Sequence, residues 1–501
     1  MRNLVVGLVL GSSLLAACAS DSIEEASSEA TAAKSRYVVV FRTDTLPGDA
    51  STRISKAGGK ASKLMSSVGV ATAVGDAAFA GKLAKDPGVL SVGIEHSYAA
   101  PKTQVRPLDI PGQQNALGLL YFLQWDIRRV GAPAVWARTP SNAPRPRVAV
   151  LDTGVADDHM DLDGQIGEMR SFSYCSTSGG VHNSPAYPIY STYIKVAPDF
   201  SWDGVCSPIS EVIGAPALYE PHGTHVSGTI GATGRVGVIG VAPNAEVEAY
   251  KVFDRVLLPA GTIPPEQGGD FILTAFEGPL FDAIVTASNN GYPVISMSLG
   301  STFDIRDGRA SYLAWQRVTQ YANKKGTLIV AAAGNSSLDL NGTTVNVPSD
   351  LPTVLSVSAT GTSALGVDDS GNLVAAGPDV LTFYSNFGAP VDVSAPGGDL
   401  GPAFDNAAHL ILSTYIFEFD SWAQDLEGNA VLAPAGSFGW AWFAGTSMAT
   451  PHVAAVAAQV RALHPTWTPG TVRSWLKDHA EVVGPRQQFG AGLVNADLAV
   501  H

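Results

Sequence analysis

Residues 147–154 read Arg147-Val148-Ala149-Val150-Leu151-Asp152-Thr153-Gly154, an unbroken apolar run that ends in a carboxylate and a turn-forming glycine. A strand with one wet face alternates apolar and polar residues, so an unbroken run marks a strand buried on both faces. Three later stretches repeat the pattern: Val294-Ile295-Ser296-Met297, Thr327-Leu328-Ile329-Val330 and Val354-Leu355-Ser356-Val357. Helical stretches separate them. This alternation predicts an α/β domain of three layers with a mainly parallel central sheet. Functional residues of such sheets sit just past the carboxyl ends of the strands. Asp152 follows the first strand and Asn335 follows another. The stretches 160–215 and 398–440 break the alternation and read as insertions, and no repeat of fixed period is present.

Three segments carry groups that complement one another: Leu151-Asp152-Thr153-Gly154, His222-Gly223-Thr224-His225-Val226-Ser227-Gly228 and Gly445-Thr446-Ser447-Met448-Ala449-Thr450-Pro451-His452. A serine hydroxyl is a poor nucleophile near neutral pH. It needs a histidine to take its proton, and the histidine needs a carboxylate to fix its tautomer and stabilise its charge. Asp152, His222 and Ser447 supply the three as candidate catalytic residues. The Ala- and Val-rich stretch from Met448 to Leu463 predicts a buried helix. Ser447 then falls at a helix N-terminus, where free N–H groups favour a developing oxyanion. Pro451 is expected close to that helix start, where a missing N–H costs least. His225 and His452 read as structural. An isolated Asp-Thr-Gly also occurs in aspartic proteases, but those need a second copy and this chain has none.

With these motifs the chain resembles the subtilisin-like serine proteases over roughly residues 115 to 497. The order Asp, His, Ser is that of subtilisin, and differs from the orders of α/β-hydrolases and chymotrypsin-like enzymes. Gln124-Trp125-Asp126-Ile127, Gly131-Ala132-Pro133-Ala134-Val135-Trp136, Gly237-Val238-Ile239-Gly240-Val241-Ala242-Pro243 and Gly490-Ala491-Gly492-Leu493-Val494-Asn495 add quieter matches. The resemblance implies a three-layer subtilisin-like fold and hydrolysis of protein or peptide substrates through an acyl-enzyme. It gives Asn335, in Ala331-Ala332-Ala333-Gly334-Asn335, the role of oxyanion donor beside the Ser447 N–H. It makes Ser298, Leu299 and Gly300 the strand that pairs with substrate, with Ala332, Ala333 and Gly334 as the facing wall. The 36–98 segment resembles the small α+β inhibitory propeptide of the family, an intramolecular partner. No cofactor is required for the chemistry. Asp161 fits the aspartate of the family's calcium site, but the loop Gly231-Ala232-Thr233-Gly234-Arg235-Val236 lacks the expected Asn and carries an Arg, so structural calcium is unsupported there and no metal ligand is assigned. A catalytically silent relative that binds peptides is the alternative. An esterase of another fold fails on motif order and on the absence of GxSxG around Ser447.

Outward from this core, Arg2 and the apolar run Leu4–Leu15 have the layout of an export signal, too short to span a membrane. Leu15-Ala16-Ala17-Cys18 resembles a bacterial lipobox, making 1–18 a lipoprotein-type signal peptide with Cys18 lipidated and the precursor membrane-anchored. An ordinary signal peptide cut nearby is the other reading, and both export the chain. Residues 19–35 read as a polar tether, 36–98 as a compact segment small for independent folding, 99–115 as a linker and 116–501 as the catalytic domain. The chain has three cysteines. With Cys18 lipidated, Cys175 and Cys206 remain as a disulfide candidate in an oxidising compartment, two free thiols being the alternative. Hydrophobic residues make up 46% of the chain and charged residues 15%, enough for a sizeable core. A net charge of -14 argues against a nucleic-acid partner. A monomer is expected.

Overall fold

The computed structural model describes residues 34–99, 118–140, 142–175, 218–258, 271–403, 406–418, 420–425 and 430–500, with short strands at 5–6, 190–191, 193–196 and 206–208. Cys18, tether residues 19–33 and linker residues 100–115 lie outside the described residues.

The N-terminal module comprises β1 (Ser35–Phe41), α1 (Ala50–Lys56), β2 (Lys60–Met65), β3 (Val70–Gly75), α2 (Phe79–Leu83) and β4 (Val89–Ile94). Its strands form an antiparallel sheet of order β2-β3-β1-β4. Strand side chains alternate between faces, so the run Tyr37–Phe41 has to bury both. Tyr37, Val39 and Phe41 pack with Ile54, Phe79 and Leu83 in the module's own core. Val38 and Val40 point the other way, into a core shared with the rest of the chain. So small a core is marginal by itself, and the second face adds to what the module buries.

The body contains β6 (Arg147–Asp152), β7 (Ile166–Ser171), α3 (His222–Gly231), β8 (Glu246–Lys251), β9 (Phe253–Leu257), β10 (Phe271–Phe276), α4 (Glu277–Asn289), β11 (Val294–Met297), α5 (Arg309–Lys324), β12 (Leu328–Ala332) and β13 (Val354–Thr362). It continues with β14 (Asp379–Leu381), β15 (Val393–Pro396), β16 (Ile411–Ile416), β17 (Phe438–Phe443) and α6 (Thr446–Leu463). The central sheet has eight strands in the order β14-β13-β12-β11-β6-β8-β7, with β15 also beside β13. Every pairing in it is parallel except β13 with β14. Val148 and Val150 face a core with Val226 and Ile230 of α3 and Met448 and Val453 of α6. Ala149 and Leu151 face the other core, with Phe281 of α4 and Trp315 of α5. Helices therefore cover both faces, as the unbroken strand runs require.

Two boundaries need correction. The stretch 160–215 is not wholly an insertion, because Ile166–Ser171 is an edge strand of the central sheet, paired with β8. Its partly exposed Glu168 and Arg170 hide it from any search for apolar runs. Within 398–440, Ile411–Ile416 pairs with Phe438–Phe443 in a hairpin packed on α3. Cys175 and Cys206 are bridged, with their Cα atoms 5.3 Å apart. The bridge ties the segment after β7 to a five-stranded sheet in which 206–208, 193–196, β9, β10 and Ser97–Ala99 follow one another.

Candidate active site

Asp152 is the last residue of β6 and His222 the first of α3. Their side chains meet, with His222 Nδ1 2.7 Å from Asp152 Oδ1, and both residues are buried. A carboxylate only accepts, so Nδ1 carries a hydrogen in this contact. Thr153 fixes this approach. Its N–H donates to Asp152 Oδ1 at 2.7 Å, while its hydroxyl accepts from Gly223 N at 2.9 Å and donates to Glu220 O at 3.2 Å. Gly223 is obligatory for space, since a Cβ there would stand 2.1 Å from Gly154 O and 3.1 Å from Asp152 Oδ1.

Ser447 occupies the first turn of α6, which packs against α3. Pro451 is the sixth residue of this helix, in its interior and not at its start as expected from sequence. Proline has no N–H, so the carbonyl of Ser447 loses its helical donor. Ser298 Oγ replaces it, donating to Ser447 O at 2.7 Å. In return Ser447 Oγ donates to Ser298 O at 3.3 Å. His222 Nε2 has no protein hydrogen-bond partner, so the hydroxyl is directed at Ser298 and not at the imidazole.

Asn335 lies beside the same turn. Its side-chain oxygen accepts from Thr446 N at 2.9 Å and from Thr446 Oγ1 at 2.7 Å. A backbone N–H can only donate, which settles the amide orientation and leaves Nδ2 free. A Cβ at Gly445 would stand 3.4 Å from Asn335 Nδ2 and 3.5 Å from Ser447 N, so the glycine keeps open a space that two donors border. An oxyanion would suit it. Of the expected substrate strand, Leu299 is buried, and in the facing wall Ala332 and Ala333 are also buried. Asn346 donates to Ala332 O at 3.0 Å and Asn386 to Ala333 O at 2.8 Å. At Gly334 (φ +102°) a Cβ would meet Asn386 Nδ2 at 2.4 Å, and at Gly300 it would meet Asn346 Nδ2 at 2.8 Å.

Sequence reasoning missed Thr153, Asn346, Asn386, Thr446 and the hydroxyl of Ser298 as positioning groups. It also missed Lys251, which pairs with buried Glu220 and donates to Thr153 O at 2.7 Å. A lysine closing the strand-like stretch Val247-Glu248-Ala249-Tyr250 was its available signal. The structural reading of the other histidines fits their surroundings. His225, pushed down to about 3 by burial, stacks on Phe443 and sits 3.1 Å from the carbonyls of Ile411 and Ala441. His452 Nε2 lies 3.0 Å from Asp126 Oδ2.

Asp161 decides the calcium question at the family's usual place. Its Oδ1 accepts from Val236 N at 2.7 Å, and its Oδ2 from Gly237 N and Val238 N at 2.9 Å and Trp440 Nε1 at 2.8 Å. Four N–H dipoles converge where a cation would have to sit, so these residues do not fit a calcium ion. Asp161→Ala orphans buried donors and is expected to cost about 3 kcal/mol or more, read as a lowered Tm. For Ser298, alanine leaves the Ser447 carbonyl unpaired and should destabilise by about 1–3 kcal/mol in urea unfolding. Adding Pro451→Ala, which restores the helical N–H, should recover part of that loss in a double-mutant cycle.

The sequence profile of the subtilase family matches residues 145–492. Subtilisin E of Bacillus subtilis (strain 168) is 27% identical over 508 residues, covering 99% of each chain. Alkaline elastase YaB of Bacillus sp. (strain YaB) is 30% identical over 376 residues, covering 75% of this chain and 69% of that one. Among solved structures, the epidermin leader peptide processing serine protease of Staphylococcus aureus superposes with a TM-score of 0.61 at 21% identity, covering 93% of this chain and 98% of that one. Fervidolysin from Fervidobacterium pennivorans gives a TM-score of 0.61 at 20% identity, covering 100% of this chain and 64% of that one. The family match spans more than half of the chain, and the structures share its three-layer fold: the chain belongs to the subtilase family of serine proteases.

Proposed function

We propose that the chain is an exported serine endopeptidase, made with its own inhibitor and freed from it by self-cleavage. The observation that carries this reading is the buried Asp152–His222 hydrogen bond of 2.7 Å beside the helix turn of Ser447. In the proposed reaction Ser447 Oγ leaves Ser298 O and gives its proton to His222 Nε2 as it attacks the scissile carbonyl. Asp152 holds the imidazole and stabilises its charged form. Asn335 Nδ2 and the Ser447 N–H donate to the oxyanion, each such donor contributing about 3 kcal/mol. His222 then protonates the departing amine, and water hydrolyses the acyl-enzyme.

In this reading the 34–99 module is the inhibitor. Its final strand, β5 (Ser97–Ala99), pairs antiparallel with β10, with Tyr98 opposite Ala275. Lys63 pairs with Asp282 at 2.7 Å, and Glu95 Oε1 accepts from Gly278 N at the start of α4 at 2.8 Å. A lipid on Cys18 would anchor the precursor, and self-cleavage would separate the catalytic body from that anchor.

Two outcomes test the proposal. Wild-type protein should lose the module, react with a fluorophosphonate and digest casein, while Ser447→Ala stays full-length and inert on the same gel. If both stay full-length and neither is labelled, a silent peptide-binding relative is the better reading. The second outcome concerns pH. Glu277, packed against Glu95, has its carboxyl pushed up to about 8, chiefly by burial and then by the charge of Glu95. A solvated glutamate titrates near ~4.3, so the docked form holds the proton more tightly. Docking is therefore favoured below the solvated value and loses that advantage as pH rises through about 8. Linkage predicts about tenfold weaker retention of the cleaved module at pH 9 than at pH 7, measured by gel filtration.

A further inference from the structure

We infer that Asn386 is a positioning residue of the oxyanion site, holding the loop of Asn335 so that its side-chain amide points at the developing charge. The inference rests on the proposed peptidase function and deepens it, since Asn386 acts through Asn335 and not on a reacting atom.

Asn386 lies just after β14 and is fully buried. Its Oδ1 accepts from Ser336 N and from Leu338 N, both at 3.0 Å. A backbone N–H can only donate, so the amide orientation is fixed and Nδ2 is the donor. Nδ2 donates to Ala333 O at 2.8 Å, and the backbone N–H of Asn386 donates to Gly334 O at 2.9 Å. One residue therefore binds positions 333, 334, 336 and 338, on both sides of Asn335. Gly334 reports the same closeness from the loop's side, because a Cβ there would stand 2.4 Å from Asn386 Nδ2.

The loop needs such a hold. Gly334 has φ +102° and Ser337 φ +53°, so the backbone enters the left-handed region twice within four residues. Glycine does so freely, but a serine stays there only when its surroundings over-determine it. Ser337 N donates to Tyr384 O at 2.8 Å and its hydroxyl to Phe383 O. Phe387 N donates to Leu338 O at 3.0 Å, and Leu340 N to Phe387 O at 2.8 Å. The stretch 383–387 thus closes along the loop like a strap, with Asn386 at its centre. At the other end, Asn335 Oδ1 is bound to Thr446 N and Oγ1 in the turn of Ser447. With the loop fixed by Asn386 and Oδ1 fixed by Thr446, the direction of Asn335 Nδ2 is set before substrate arrives. A donor held in place beforehand stabilises an oxyanion without having to reorganise during the reaction.

The test is a double-mutant cycle on enzyme matured from the full chain, using one peptide substrate. Asn386→Ala should lower kcat about tenfold or more with KM within about twofold, as befits a loss felt in the transition state. Asn335→Ala should lower kcat about a hundredfold or more. Adding Asn386→Ala to Asn335→Ala should then cost less than about twofold further, because the group it positions is gone. If Asn386→Ala does not fold, Asn386→Ser, too short to reach from Ala333 O to Leu338 N, takes its place in the cycle. A lowered Tm with kcat unchanged overturns the inference, as do losses that multiply in the double mutant. Either result leaves the peptidase intact. No cleavage by the wild type, together with no fluorophosphonate labelling, overturns the peptidase reading and the inference with it.

Discussion

A steric constraint at Gly223 underlies the site. The residue after His222 must pass within hydrogen-bonding reach of the turn after β6, and a Cβ would collide with Gly154 O at 2.1 Å. Only that close passage brings Nδ1 of His222 to Asp152, and only then can the Thr153 hydroxyl bond to both sides of the histidine. The 2.7 Å contact is thus the product of two backbone segments forced together, with the side chains following. Lys251 continues the arrangement from below. It lies opposite Asp152 in the register of β8 with β6, and it bonds to Thr153 O while pairing with Glu220. A buried cation and anion here leave the turn with its charges matched, which a lone charge at that depth could not do.

The helix of Ser447 follows the same logic of substitution. Pro451 removes a backbone donor and Ser298 supplies a hydroxyl in its place, coupling the Ser447 carbonyl to the end of β11. At Asp161 a carboxylate gathers the backbone N–H groups of a loop, with Trp440 as a fourth donor. In both places a local deficit in the backbone is met by one distant side chain. Buried polar groups demand such partners.

The N-terminal module is joined to the body by polar groups as well as by Val38 and Val40. Glu95 receives Arg36 Nε at 2.7 Å and the hydroxyl of Tyr174 at 3.0 Å, while Glu277 binds Tyr98. Burial, and after it the charge of Glu95, raises the cost of ionising Glu277. Their partners are divided between module and body, so separating the two bodies exposes both carboxyls to water at once.

The sequence by itself determined the layered α/β fold and the candidate triad. Unbroken apolar runs report burial on both faces through the two-residue period of a strand, and Asp152, His222 and Ser447 stand in motifs whose chemistry is local. Asn335 was legible through its resemblance to a family motif. Other features were decided only by the tertiary structure. The edge strand Ile166–Ser171 is half exposed and carries charge, so its pattern gives no sign that it extends the sheet. Pro451 and Ser298 are 153 positions apart, and nothing near either residue reports the missing donor that joins them. Tyr98 and Glu277 are 179 positions apart, and each alone is unremarkable until β5 lies along β10. Periodicity encodes what a residue buries against its near neighbours. Which distant group completes a hydrogen bond is set only when the chain has closed on itself.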